Sequence, residues 1–115
     1  MIRRAEELQR LTLEKRFGGV GILESVPLMD EKQFQGKGRL FAHNILKPGA
    51  SLGLHTHTGD VETYYIIKGE GIIDDNGDRQ PVKTGDVIFT DNGEKHSLEN
   101  TGEGDLEFIA LVLYV

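Results

Sequence analysis

The sequence predicts an all-β fold, closed as a sandwich or barrel, and three features carry that expectation. Fifteen glycines spread along the chain and cut it into short segments, the rhythm of strands joined by tight turns. Strand-like segments follow one another closely from Arg39 to Tyr114. Between two of them sits Asn76-Gly77, a strong hairpin signal, because a type I′ turn needs positive φ at both central residues.

Residues 1–17 stand apart from this rhythm. Arg3 to Leu11 suits a short helix, with Ala5, Leu8 and Leu11 on one face; a charged arm is the alternative. Gly18-Gly19 ends it. Val20 to Val26 reads as a strand and Met29 to Gln35 as a helical turn or loop. Strand candidates then run Arg39 to Leu46, Ser51 to His57, Glu62 to Ile67, Gly71 to Asp74, Asp78 to Lys83, Asp86 to Thr90, His96 to Asn100 and Leu106 to Tyr114. Pro48-Gly49 and Thr84-Gly85 mark turns between them. About eight to ten short strands in one domain imply a sandwich or barrel, with jelly-roll closure a common solution. The whole chain, 1–115, is read as one domain, with the barrel core over 39–115.

Composition narrows the function classes. The chain has no cysteine, so disulfides, thiolate metal sites and a cysteine nucleophile are excluded. That fits a reducing, cytoplasmic setting. A net charge of −6 argues against non-specific nucleic-acid binding and against adhesion to anionic membranes. The N-terminus lacks an apolar run of signal-peptide length, and Phe108 to Val115, the longest apolar stretch, is too short to span a bilayer.

The chemistry concentrates between Gly49 and Asn100. The first part reads Gly49-x5-His55-x-His57-x4-Glu62-x6-Gly69, and the second Gly85-x5-Asp91-x-Gly93-x2-His96-x3-Asn100. Alternate residues of a strand share a face, so His55 and His57 point the same way. A short turn over Thr58 to Val61 is expected to lay Glu62 beside them in an antiparallel pair, and His96 arrives from a later strand. Three imidazoles and one carboxylate suit Fe(II), Mn(II), Ni(II), Zn(II) or Cu(II). The glycines of the frame punctuate turns, and Asn100 is expected to pin one by hydrogen bonding.

These residues resemble the two motifs of the cupin superfamily, in the compact form of small single-domain, RmlC-like bacterial members. The first motif agrees at every signature position. The second agrees at Gly85, Gly93, His96 and Asn100, and departs at Asp91, where the family usually carries proline. Asp91-Asn92-Gly93 can turn instead through side-chain to backbone hydrogen bonds. The resemblance implies a double-stranded β-helix, or jelly-roll, barrel. It implies one divalent transition metal held by His55, His57, Glu62 and His96, and a homodimer. Edge strands such as Val20 to Val26 and Leu106 to Tyr114 are candidates for the pairing surface.

Tyr64 continues the Glu62 face by alternation and is the candidate catalytic residue, as proton donor or substrate-orienting group. Phe41, Ile45 and Phe89 could line a pocket, with packing their default role; His43 is read as a surface or core histidine. Arg39, Lys47, Lys68 and Lys95 are the cations expected near the mouth. The function expected is metal-dependent chemistry on a small oxygenated molecule, of dioxygenase, decarboxylase or isomerase type. The alternative is a non-catalytic, metal-dependent module binding a small carboxylate or sugar.

Overall fold

The computed structural model describes all residues from Met1 to Val115. The strands are β1 (Leu11–Glu14), β2 (Ile22–Pro27), β3 (Gly38–Leu46), β4 (Ser51–Thr56), β5 (Asp60–Lys68), β6 (Glu70–Asp75), β7 (Asp78–Lys83), β8 (Val87–Thr90), β9 (Lys95–Asn100) and β10 (Leu106–Tyr114), with one short helix, α1 (Glu31–Phe34). They form a six-stranded antiparallel sheet, β1-β2-β3-β10-β5-β8, and a four-stranded one, β4-β9-β6-β7. The two sheets face each other as a jelly roll.

Strict alternation fills the space between them. Along β10, Leu106, Phe108, Ala110 and Val112 are buried and the residues between them are not. Along β5, Glu62, Tyr64 and Ile66 share the inner face, and along β9, His96, Leu98 and Asn100 do. Fully burying a large apolar side chain is worth roughly 1.5–3 kcal/mol, so Leu46, Ile66, Leu98, Leu106 and Phe108, all essentially inaccessible, make the closed end of the barrel its main stabilising region. Asn100 ties that end together. Its amide donates to the Leu46 carbonyl and to the Gly104 carbonyl, and its oxygen accepts from Gly102 N.

β4 breaks the alternation where the site begins. Leu52 pairs with Leu98 and His55 with His96, with a register shift between them. Leu52 and His55 are three apart, yet both face inward. The bulge at Gly53-Leu54 supplies the extra residue that changes parity and leaves Leu54 exposed.

Three expectations need correction. Glu62 does not pair with the histidine strand: β4 and β5 lie in opposite sheets, because the turn after Thr56 crosses from one sheet to the other. Glu62 therefore meets the histidines across the interior. Neither Val20 to Val26 nor Leu106 to Tyr114 is an edge. β10 sits between β3 and β5, and β2 is covered by β1. Finally, the N-terminal segment is helical only over 3-10 turns at Ala5–Glu7 and Arg16–Gly18. From Leu11 it becomes strand, paired with β2 in register Leu11 with Ser25 through Glu14 with Ile22. The Leu11-Thr12-Leu13 alternation, partnered by a neighbouring strand, prevails over helical spacing.

Candidate metal centre

His55 comes from β4, His57 from the residue just past it, Glu62 from β5 and His96 from β9. One donor atom from each lies within 4.8 Å of all the others, a group that could hold a metal ion. His57, Glu62 and His96 are 3%, 4% and 1% exposed, as buried as the leucines further in. Such a desolvated polar cluster is costly unless its members are matched.

The hydrogen bonds indicate what would match it. His55 Nδ1 lies 2.7 Å from the Gly53 carbonyl, which can only accept, so this nitrogen carries the proton. His57 Nδ1 lies 2.7 Å from Asp60 Oδ1 and donates to that carboxylate. His96 Nδ1 is 2.7 Å from the Thr90 hydroxyl. With the Nδ1 atoms engaged, the Nε2 atoms face the centre. His96 Nε2 is 3.0 Å from His55 Nε2 and 3.2 Å from His57 Nε2. Glu62 Oε1 lies 3.0 Å from His57 Nε2 and 3.1 Å from His96 Nε2. The His55 and His57 tautomers turn bare Nε2 lone pairs to this centre, beside the Glu62 carboxylate, an arrangement that repels unless a cation or proton lies between. Donors about 2.1 Å from a shared ion sit about 3.0 Å apart along an octahedral edge and about 3.4 Å along a tetrahedral one. These four contacts fall in this range, and the donor set fits a divalent transition ion.

A supporting layer holds these groups. Asp60 bridges His57 and Arg39, whose Nε is 2.9 Å from Asp60 Oδ2. Burial opposes ionisation of Asp60, but the hydrogen bonds from His57 and Arg39 outweigh it and hold the carboxyl below the usual aspartate range. Partial burial, opposed by the Gly53 carbonyl and reinforced by His96, lowers His55 below an ordinary imidazole and keeps it neutral. Such partners fix the tautomer and orientation of ligating histidines. Phe17 stacks on the His55 ring at 3.8 Å, carried by an N-terminal strap in which Lys15 and Phe17 hold left-handed φ of 51° and 55°. The strap can lie against β4 because Gly19 and Gly53 have no side chains. A β-carbon on Gly53 would collide with the Phe17 carbonyl, and one on Gly19 with the Ser51 carbonyl.

Tyr64 lies deep in the site. Its ring stacks on His96 at 5.0 Å, and its hydroxyl is 3.4 Å from His96 Nε2. Burial, then the charge and hydrogen bond of Glu62, push the phenol well above its ordinary value, so it stays protonated. The site opens into a cavity of about 100 Å³ lined by Arg16, Phe17, Leu23, Ser25, Arg39, Leu40, Asn44, Leu52 and Tyr64 together with His55, His57 and Glu62.

Several expected contributors lie elsewhere. Phe41, Ile45 and Phe89 do not line this cavity; they are on the outer side of the six-stranded sheet, opposite in parity to Asn44 and Tyr64. His43 shares that outer face, with Nε2 2.8 Å from Glu107 Oε1. Of the four cations, only Arg39 reaches the cavity. Lys47 pairs with Glu24 and Asp105, and Lys68 with Glu107. Sequence reading missed Asp60, Thr90, Arg16, Phe17, Ser25 and Asn44. Asp60, three residues after His57, was the most accessible of these, because a ligating histidine commonly has a carboxylate behind it.

The loop before His96 is stiff without proline. Asp91 N donates to Glu94 Oε1, Glu94 N to the Asp91 carbonyl, and Asn92 N to Asp91 Oδ1. The backbone also ties this loop to the first motif, since Gly93 N donates to the His57 carbonyl and His57 N to the Glu94 carbonyl.

Known proteins are similar to this chain. The oxalate-binding protein of Thermotoga maritima is 47% identical over 113 residues, covering 98% of this chain and 93% of that protein. A crystal structure described as a predicted oxalate decarboxylase from Thermotoga maritima superposes with a TM-score of 0.95 at 46% identity, covering all of both chains. A putative sugar phosphate isomerase from Acidithiobacillus ferrooxidans, 19% identical, has a TM-score of 0.83 over 99% of this chain and 75% of its own, a likeness of fold alone. Residues 42–113, which hold both motifs and every donor of the centre, match the Cupin_2 family, described as the cupin domain, and the chain belongs to that family.

Proposed function

We propose that this protein holds one divalent transition metal through His55, His57, Glu62 and His96, and uses it to bind and turn over a small carboxylic acid. The observation that carries this reading is the convergence of three imidazole Nε2 atoms and the Glu62 carboxylate, with contacts of 3.0 to 3.2 Å. Four protein ligands leave an octahedral ion about two open positions. Arg39 and Arg16 beside the cavity favour an anionic ligand. The volume of about 100 Å³ is below the roughly 300 Å³ and more of sites for drug-sized ligands. It suits an acid of a few carbons better than a sugar. Oxalate is the first compound to test, given the relatives above.

A bound metal would supply Lewis acidity and, for iron or manganese, redox chemistry. Arg39 would orient the anion, and Tyr64 would offer a neutral hydroxyl hydrogen bond. The test is metal-loaded protein incubated with oxalate and a panel of small hydroxy and keto acids. Substrate loss is followed by chromatography and binding by calorimetry. Turnover that Tyr64→Phe weakens, at unchanged metal content, supports the reading. No binding and no turnover across the panel would remove it.

The alternative is a binding module without turnover, and one observation favours it. Apart from the proposed ligands, the titratable groups on the cavity wall are Arg16, Arg39 and a Tyr64 that stays protonated, so no free base is at hand. Tight oxalate binding with no product would select it.

A homodimer accompanies this reading, on a different surface from the edges expected. The outer face of the six-stranded sheet sets Val87 beside Tyr65 and Phe89 beside Thr63, with Ile67 and Leu113 on the same face. Tyr65, Ile67, Val87, Phe89 and Leu113 are 48%, 37%, 63%, 53% and 39% exposed. They offer on the order of 400–500 Å² of apolar surface, more than half of the roughly 800 Å² that each partner contributes to a standard interface. A two-fold pairing of this face would cover it. Light scattering should give twice the chain mass, and Val87→Asp with Phe89→Ser should give the monomer. A monomeric wild type at micromolar concentration would refute it.

A further inference from the structure

We propose that Asn44, assisted by Ser25, is a hydrogen-bonding subsite that recognises the ligand oxygens turned away from the metal. This rests on the small-acid reading and adds a specificity determinant to it. Asn44 and Ser25 sit directly opposite each other on β3 and β2. They are 6% and 7% exposed, and both line the same cavity as His55, His57 and Glu62. Asn44 Oδ1 is the one buried side-chain polar atom with no hydrogen-bond partner in the protein. The neighbour of Asn44 on β10 is the apolar Phe108, and Leu23, Leu40 and Leu52 contribute to the cavity wall. Leaving a buried amide oxygen unmatched is unfavourable, and packing gives no reason for it here. Asn100, in the same barrel, shows the structural use of the residue, with both ends of its amide bonded to backbone.

An amide aimed into a ligand cavity presents one acceptor and, from its nitrogen, two donors. Its nitrogen can donate to a carboxylate or hydroxyl oxygen, its oxygen can accept only from a hydroxyl or a protonated acid, and neither end suits a methyl group. A two-carbon diacid on the metal has oxygens left over to accept from the Asn44 amide nitrogen and the Ser25 hydroxyl, and a singly protonated diacid can also donate to Asn44 Oδ1. A two-carbon monoacid turns only its methyl toward them. A site built to hydrogen-bond a ligand group discriminates strongly against the analogue that lacks it.

The experiment uses the full chain loaded with Mn(II), titrated with oxalate and with acetate in a calorimeter. Asn44→Leu keeps the volume and removes the amide. It is expected to weaken oxalate binding at least tenfold, leaving acetate affinity and metal stoichiometry unchanged, and Ser25→Ala to weaken oxalate binding by a smaller factor. A second readout needs no ligand. Metal-free Asn44→Leu should melt at or above the wild-type temperature, because an unmatched polar group has been replaced by one that suits its neighbours. Oxalate binding that Asn44→Leu leaves intact would overturn the subsite while leaving the small-acid reading standing. Metal-free Asn44→Leu melting well below wild type would assign Asn44 a structural role and overturn it too. Wild type that binds neither acid would remove the small-acid reading, and the subsite with it.

Discussion

The two ends of the barrel are built from the same strands, yet they behave as opposite materials. At the closed end, Leu46, Ile66 and Leu98 point inward; two residues along the same strands, Asn44, Tyr64 and His96 do the same. Both sets are buried to within a few per cent. The apolar end is self-sufficient, since each group there gains by leaving water. The polar end is incomplete, since facing imidazole lone pairs and a carboxylate lose hydration without gaining a counter-charge. Strand parity decides which residues meet, and their chemistry decides whether the meeting closes a core or calls for an ion.

The largest expected effect breaks the closed end. Phe108→Ala should cost roughly 3–5 kcal/mol in chemical denaturation, as for other buried aromatic truncations. A small loss would mean that the leucines, not the aromatic layer, carry the stability. Removing the metal sharpens the comparison from the other side. At a metal concentration a hundred times its dissociation constant, binding adds about 2.7 kcal/mol, so chelation should lower the melting temperature by roughly ten degrees. The β-type circular dichroism should persist, because the apolar end does not depend on the ion. Complete unfolding on chelation would make the ends one cooperative metal-dependent unit. His55→Ala with His57→Ala should abolish stoichiometric metal in elemental analysis; a variant still fully loaded would exclude the assigned ligands.

A smaller effect is expected one layer out. Asp60→Asn retains the shape but loses the charge that faces His57 and Arg39, and metal affinity should fall about 10–100-fold, read by competition with a chelator. Unchanged affinity would leave Asp60 as a support for Arg39 alone. The smallest belongs to the strap. Phe17→Ala removes the ring stacked on His55 while keeping every proposed ligand in place, and metal should dissociate only a few times faster. A loss as large as that for Asp60→Asn would make the strap part of the centre.

Legibility followed the same division. Alternation over Glu62, Tyr64 and Ile66 was readable from residue order alone, as was the motif spacing that brings His96 to the other ligand candidates. The bulge was not, because nothing local distinguishes Gly53 as a parity change from Gly53 as a weak strand position; the distinction lies in pairing with β9. The sheet crossing between His57 and Glu62 was equally hidden, since a short turn serves a hairpin and a crossing alike. The strap was the hardest. Its position depends on contacts between residues more than thirty apart in sequence, Phe17 with Gly53 and Gly19 with Ser51, and its left-handed Lys15 and Phe17 carry no sequence signal of their own.

The Asn76-Gly77 hairpin exposes the polar end of the barrel to chemical ageing. Gly77 has no side chain to hinder its amide nitrogen, which donates to Asp74 Oδ1. Once released from that bond it can attack the Asn76 side-chain carbonyl and expel ammonia, and water then opens the resulting succinimide to an aspartyl or isoaspartyl link. At this tip the side chain does more than turn the chain. Asn76 Nδ2 donates to Glu94 and its Oδ1 accepts from Lys95 N, and Lys95 immediately precedes His96. Deamidation would replace the donor to Glu94 with a second carboxylate and set two negative charges against each other beside a proposed ligand. Stored protein should therefore accumulate a more acidic form, separable by ion exchange, that holds its metal less tightly than fresh material. Equal retention by both forms would mean that the hairpin and the ligand loop are mechanically independent.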